Sequence, residues 1–257
     1  MAVTIVLTNQ KGGVGKTTSS AALASGLKGA GYRVLAVDLD SQGNLGFSLG
    51  LDMEEEHTMC EVLKGEIPVK DAIRHTEDCA DILTSDILLS EAEMFLTGTA
   101  RQLKLKNVLD DVSSDYDYII IDTPPALNIL TVNGYAAADY LVIPMSAEIL
   151  SLVGLIQLKE TIESVQGSVN PKLNVLGILM TKYNRRTRLS REVLEMAQTV
   201  AAQIGTEVFD TKIRCGVAAA EAPAHGLSIF DYAPKANPTV DYRDFVEEAV
   251  QKMHKGA

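Results

Sequence analysis

Apolar residues in this chain gather in short blocks instead of alternating with polar ones. Residues 3–7, 33–37, 80–83, 118–121, 140–143 and 175–181 read as strands. A run such as Ile119-Ile120-Ile121 lacks the polar face of a half-exposed strand and suits a parallel sheet covered on both sides. A shorter apolar block at 207–209 is a candidate further strand. Between these blocks, helical patterning runs over 17–30, 100–112, 130–138, 149–165, 189–204 and 239–253. Strand and helix alternating in this order imply βαβ crossovers. The expected fold is α/β: a doubly wound, mostly parallel sheet with helices on both faces. No repeat, low-complexity tract or long linker interrupts the pattern, so residues 1–257 read as one domain. The least regular stretch, 52–93, is expected to decorate an edge of the sheet.

Composition adds little to this and contradicts none of it. Apolar residues make up 46% and charged residues 22%, as in ordinary globular chains. No run approaches the roughly 18 apolar residues of a membrane span. The chain enters its first strand at once, with no basic leader, so export is not expected and a cytoplasmic setting is. Cys60, Cys79 and Cys215 follow no metal spacing and read as free thiols, each a small buried hydrophobe.

Charge is more informative. The net charge of −11 would repel nucleic acid if it were evenly spread. Yet Lys182, Arg185, Arg186, Arg188 and Arg191 crowd into ten positions with no acidic residue among them. Screening ends repulsion beyond about 8–10 Å, so such an island can still meet a polyanion locally.

The chemistry begins after the first strand, at Lys11-Gly12-Gly13-Val14-Gly15-Lys16-Thr17-Thr18. Strand, glycine loop and helix are the parts of a phosphate-binding loop. Glycines let backbone N–H groups turn toward phosphate oxygens, and the helix N-terminus adds positive potential. Lys16 would reach the β- and γ-phosphates, and the Thr17 hydroxyl would ligate Mg²⁺. The common pattern G-x-x-x-x-G-K-[ST] asks for glycine at position 10, which is Gln10, and an additional lysine, Lys11, heads the loop. This resembles the deviant Walker A loop of the ParA/MinD ATPases. In that family the extra lysine reaches across a dimer to the partner's nucleotide.

Two strand ends carry carboxylates. The segment Asp38-Leu39-Asp40-Ser41-Gln42-Gly43-Asn44 resembles the family's first switch, with Ser41 where proline is usual. Asp40 matches the residue that orients the attacking water, and Asp38 would support the magnesium shell or the loop. Tyr118-Ile119-Ile120-Ile121-Asp122-Thr123-Pro124-Pro125 reads as a Walker B strand, placing Asp122 to hold a Mg²⁺ water beside the loop. Thr17, Asp40 and Asp122 are therefore the candidate metal-side residues.

Farther on, the segment Thr181-Lys182-Tyr183-Asn184, the pair Ile213-Arg214 and the segment Glu221-Ala222-Pro223-Ala224-His225-Gly226 resemble the base-side strand and loop of Soj-like ParA proteins. The resemblance suggests adenine recognition near Thr181, Lys182, Asn184, Ile213 and Arg214. His225 reads as a packing or hydrogen-bonding residue and not as a base.

The likeness covers nearly the whole chain and implies an ATPase, binding ATP and ADP with Mg²⁺, that dimerises with ATP. The dimer would bind double-stranded DNA without sequence preference and so be nucleoid-associated. A ParB-type centromere-binding protein would stimulate hydrolysis and reset it. Arg185, Arg186, Arg188, Arg191 and Arg214 are the candidate DNA contacts. Starting at its first strand, the chain is expected to lack the helix-turn-helix extension of longer relatives. A MinD-like or other-cargo positioning ATPase is the alternative. The last helix, however, carries Asp241, Asp244, Glu247 and Glu248 on its polar face, which anionic lipid would repel, so it is expected to dock on the body.

Overall fold

A computed structural model describes residues 1–51, 57–76 and 79–255. Its centre is one six-stranded sheet: β1 (Val3–Leu7), β2 (Val34–Asp38), β3 (Asp81–Leu83), β4 (Tyr118–Asp122), β5 (Tyr140–Ser146) and β6 (Asn174–Thr181). The spatial order is β3-β2-β4-β1-β5-β6, and every pairing is parallel. The chain winds from β1 toward β3 and then returns to the other side through β5 and β6. The crevice outside the carboxyl end of β1 is therefore the place where such a sheet binds ligands.

Alternation along each buried strand divides the core in two. Ile5 and Leu7 pack with Leu23 and Leu27 of α1 (Lys16–Gly29) and Phe245 of α12 (Asn237–Lys255). Val6 faces the opposite layer, which holds Tyr135 of α7 (Ile129–Ala137), Leu155 of α8 (Ile149–Ser168) and Val193 of α9 (Arg188–Gln203). Gly26 allows α1 and α12 to approach closely, because a Cβ there would lie 2.7 Å from Val246. Helix α12 docks on the body, and two of its four acidic residues take part, while Asp244 and Glu247 stay exposed. Asp241 pairs with Arg214, and the Glu248 carboxylate accepts the N–H groups of Asp210 and Thr211 at 2.7 and 2.8 Å.

Some expectations need correction. The helix expected over 100–112 starts as a 3-10 turn at Arg101–Leu103 and becomes α6 only over Lys104–Asp110. Buried Asn133 causes this: its carboxamide donates to the Arg101 carbonyl at 3.0 Å and accepts the Leu105 N–H at 3.1 Å, replacing regular helix bonds. The block at 207–209 makes only a single bridge, Val208 to Ile178. Cys215 is exposed, not buried, because it follows Arg214 in the surface loop leading to α10 (Ala218–Ala224).

The stretch 52–93, of which 52–56 and 77–78 lie outside the described residues, is more regular than expected. It holds α3 (Met59–Lys64), started by a Thr58/Glu61 capping box, then α4 (Val69–Ala72), edge strand β3 and α5 (Ala92–Phe95). Among the described residues no helix is long and apolar enough to cross a membrane.

Candidate functional site

The phosphate loop spans the gap between β1 and α1. Gly13 (φ 73°) and Gly15 (φ 83°) take the left-handed backbone that residues with a Cβ avoid. Gly15 is also the N-cap of α1, and no side chain caps the helix. The first N–H groups of α1 are thus left for an anion, with the helix dipole behind them. A Cβ on Gly12 or Gly13 would meet nothing within 4 Å, so the cradle is open. The buried Nε2 of Gln10 finds no acceptor among the described residues. Lys16 is only 7% exposed, and its ammonium touches the Lys11 carbonyl at 3.3 Å. Burial lowers its pKa, against the opposing pull of Asp122 and Asp40. A buried cation, uncapped N–H groups and an orphaned amide together fit a polyphosphate.

The carboxylates arrive on neighbouring strands. Asp38 ends β2 and Asp122 ends β4, and the two are register partners. Asp122 accepts the Thr17 hydroxyl at 2.6 Å and the Ser20 hydroxyl at 2.8 Å. Burial pushes its pKa up to about 6, held back by those two hydroxyls and by Lys16. The oxygen pair of Thr17 and Asp122 suits magnesium, a hard cation that keeps most of its waters and takes few protein ligands.

Asp38 has a different task. Its two oxygens accept the N–H groups of Asp40 and Leu45, both at 2.9 Å, so it shapes the loop into α2 (Asn44–Ser48). Burial, then repulsion from Asp122, raises its pKa well above the usual carboxylate range. Asp40 turns its own carboxylate onto the Gln42 N–H at 3.1 Å, and Gly43 N–H closes the turn on the Asp40 carbonyl at 3.0 Å. These bonds, with one from the Ser85 hydroxyl to the same carbonyl, hold the turn at Ser41 without proline.

Lys11 lies at the rim. Its ammonium bonds the Glu148 carboxylate and reaches the Ser151 hydroxyl at 3.3 Å. Next in sequence after Glu148, the first turns of α8 carry the exposed apolar side chains Ile149, Leu150, Val153 and Ile156.

The residues expected at the base divide between different tasks. The Thr181 hydroxyl donates to the Val14 carbonyl at 2.7 Å and so braces the phosphate loop. Lys182 has a positive φ of 50°, and Tyr183 bridges to Arg214. Ile213 is buried in the core, and only its backbone faces this region, accepting the Tyr183 N–H. A cavity of about 600 Å³ lies beside Tyr183, Asn184, Arg185, Arg186, Lys212 and Arg214. The Arg214 guanidinium is held by Asp241, with bonds of 2.6–3.0 Å. The segment 221–226 lies mostly in α10, which packs on α2 and α12. His225 there stacks on Tyr232 at 4.9 Å, a packing arrangement. A larger cavity, about 850 Å³, opens by Lys28, Gly50, Cys79, Gly226 and Arg243 and includes none of the expected site residues.

Arg185, Arg186, Arg188 and Arg191 are exposed together. Arg188 and Arg191 occupy the first turn of α9, where the helix dipole disfavours cations. Arg188 is 87% exposed on its side chain and pairs, among the described residues, with Glu192, one turn along the same helix.

Ser20, Asn9, Glu148 and Ser151 were not anticipated. Ser20 stands one helical turn after Lys16, a spacing that could have revealed it. The others depend on strand neighbours distant in sequence.

A family model described as an AAA domain matches residues 2–175. The chain is 40% identical over 253 residues to the chromosome partitioning protein ParA of Caulobacter vibrioides, covering 96% of this chain and 94% of that one. It is 39% identical over 254 residues to the chromosome-partitioning ATPase Soj of Treponema pallidum, covering 98% of each. Among solved structures, cobyrinic acid a,c-diamide synthase from Mycobacterium smegmatis, with bound ADP and magnesium, matches at a TM-score of 0.86. Its identity is 35%, over 100% of this chain and 97% of that one.

Proposed function

The chain belongs to the ParA/Soj family of chromosome-partitioning ATPases, and from this premise we propose that it is an ATP-gated DNA-partitioning switch that dimerises on ATP, binds DNA and is reset by hydrolysis. The observation that carries the proposal is the division of labour between two lysines on one loop. Lys16 is buried inside the cradle, whereas Lys11 stands at its rim on a side-chain pair it can exchange.

ATP, ADP and magnesium are the ligands that the loop suits. Gly12 to Thr18 would hold the phosphates, and Thr17 and Asp122 the metal side. Magnesium, when bound, would neutralise charge on the β- and γ-phosphates. Asp40, at the end of its Asx turn, would orient the attacking water, and Lys16 would steady the transferring phosphoryl group. Two copies meeting across their nucleotides would bring each Lys11 to the opposite phosphates. That supplies charge where the transition state needs it, as an arginine finger does. The exposed apolar residues Ile149, Leu150, Val153 and Ile156 follow Glu148, the partner of Lys11, in α8, and burying them would favour association.

DNA binding is assigned to the cations at 185–191, doubled in number by dimerisation. Arg214 contributes less there, because Asp241 already neutralises it. A ParB-type partner would accelerate hydrolysis and release the DNA. Positioning on a membrane by a terminal amphipathic helix is the less supported reading, since α12 is docked through Asp241 and Glu248.

The deciding experiment is size-exclusion with light scattering under ADP and under ATP·Mg, with and without a nonspecific duplex, for the wild type and Asp40→Ala. An ATP-only dimer that carries duplex, longer-lived in Asp40→Ala, supports the switch. A dimer that ignores duplex removes the DNA assignment. No ATP-dependent dimer removes the role given to Lys11.

A further inference from the structure

Asn9 lies just before the glycine loop and is almost fully buried. Strand β1 pairs with β5 as far as Leu7 and Val142, and the Thr8 N–H still reaches the Val142 carbonyl at 3.1 Å. In a continuing parallel ladder the next rung would fall on the Pro144 carbonyl, taken by a backbone N–H two residues later. The backbone has already left the sheet at that point. The Asn9 side chain supplies the rung instead, its Nδ2 donating to the Pro144 carbonyl at 2.8 Å. Its Oδ1 accepts the Lys11 N–H at 2.9 Å. The amide orientation follows from chemistry, since a flipped carboxamide would set oxygen against oxygen and N–H against N–H.

The segment that Asn9 grips also leads to the residues that hold the other end of Lys11. Pro144 lies in β5, and the same run continues through Ser146 to Glu148 and Ser151, the partners of the Lys11 ammonium. Ser146 and Ser151 share a hydrogen bond of 2.9 Å. Both the backbone and the amine of Lys11 are therefore referenced to one short stretch, 144–151. Gly154 of α8 comes close behind, with a Cβ position 3.7 Å from Asn9 Oδ1.

We infer that Asn9 is the positioning residue for Lys11, fixing where the rim of the phosphate loop stands relative to β5 and α8, and so where the Lys11 ammonium can be delivered. The inference rests on the reading that Lys11 acts across a dimer. Asn9 touches no reacting atom in this role. Farther along the loop, Val14 and Thr17 keep their own supports, the Thr181 bond to Val14 and the Asp122 bond to Thr17, while the Lys16 ammonium also touches the Lys11 carbonyl.

The test compares Asn9→Ala, Asn9→Asp and Lys11→Ala with the wild type. The readouts are ADP·Mg affinity, ATP-dependent dimerisation, DNA-stimulated turnover and melting temperature. Asn9→Asp keeps the acceptor for the Lys11 N–H and loses the donor to Pro144, and it provides the second variant should Asn9→Ala not fold. Expected for Asn9→Ala is a fall in turnover and dimer affinity of about tenfold or more, the scale set by misplacing a positioned group. ADP·Mg affinity should stay within about twofold, because the diphosphate cradle is separately supported. Asn9→Asp should fall between Asn9→Ala and the wild type. A loss of ADP affinity in step with turnover would make Asn9 a general support of the loop and overturn the inference, as would unchanged turnover and dimerisation. If Lys11→Ala itself dimerises and turns over normally, the across-dimer reading fails first and this inference goes with it. A normal Asn9→Ala beside a defective Lys11→Ala overturns the inference alone.

Discussion

Asp38 and Asp122 are register partners at the carboxyl ends of adjacent strands, and both carboxyl groups are completely buried. The pair is asymmetric in its partners. Asp38 takes backbone N–H groups and shapes a loop, whereas Asp122 takes hydroxyl groups that a metal can displace or share.

This pairing gives the protein an acid-side signature. Burial raises Asp122 from 3.8 to about 6. Across that window the folded chain binds more protons than the unfolded one, so this group's contribution to stability falls as pH rises. Nucleotide-free protein should lose melting temperature between pH 5 and pH 7.5 in a way that Asp122→Asn flattens. If magnesium·ADP is held through the ionised carboxylate, its binding should weaken as pH drops through about 6. Melting curves with and without magnesium·ADP check both slopes, and an Asp122→Asn profile identical to wild type would remove this carboxylate from the account.

The Lys11–Glu148 ion pair should matter for association more than for folding. Exposed ion pairs contribute about 0–1 kcal/mol, so Glu148→Gln should leave the melting temperature nearly unchanged. The lysine, freed of its competing carboxylate, should support ATP-dependent dimerisation at lower protein concentration. Light scattering across a dilution series measures this, and an unchanged midpoint would mean that the ion pair restrains nothing.

Replacing Arg188 and Arg191 together with glutamate should abolish ATP-dependent duplex binding while preserving ATP-dependent dimerisation. Milder single changes to alanine should each lower the log–log salt slope by about 0.9 for every phosphate no longer neutralised. Binding isotherms at several salt concentrations measure that slope. Intact binding in the double variant would move the DNA surface elsewhere.

Gly50 and Gly167 should respond in opposite senses to alanine. At Gly50, φ is 82° and a Cβ would sit 2.2 Å from the Gly226 carbonyl oxygen. Gly50→Ala should cost about 2–5 kcal/mol from backbone strain and overpacking. Gly167 lies in α8 with no neighbour near its Cβ position, so Gly167→Ala should gain up to about 1 kcal/mol. Urea unfolding of both variants reads the contrast.

Much of this is legible in the amino-acid sequence. Unbroken apolar blocks place five of the strands within a residue, because a sheet covered on both faces tolerates few polar positions, whereas β5 runs three residues past the expected 140–143, to Ser146. The positions of Lys16 and Thr17 are legible because they share one short glycine loop, and that of Asp122 because it ends an apolar strand, a local pattern that needs no knowledge of its neighbours. Asn9, Glu148 and Ser151 are not, since their meaning comes from β1 lying beside β5, a neighbour more than a hundred residues away. The Arg214–Asp241 pair is similar, joining a loop to the last helix, so a basic residue that looks free in sequence is neutralised in the fold. The Thr58/Glu61 capping box is local and readable, and passing over it makes 52–93 look more irregular than it is.

Both borders of the sheet are already occupied by the chain itself. Along β6, Ile178 exchanges bonds with Glu207 and Phe209, and Met180 receives Ile213; along β3, Ile82 exchanges bonds with Arg74. A foreign strand finds few free rungs at either border, which closes the route to edge-to-edge aggregation. Copies of this protein that gather at high local density are thereby steered to meet through side-chain surfaces and away from backbone ladders that would not let go.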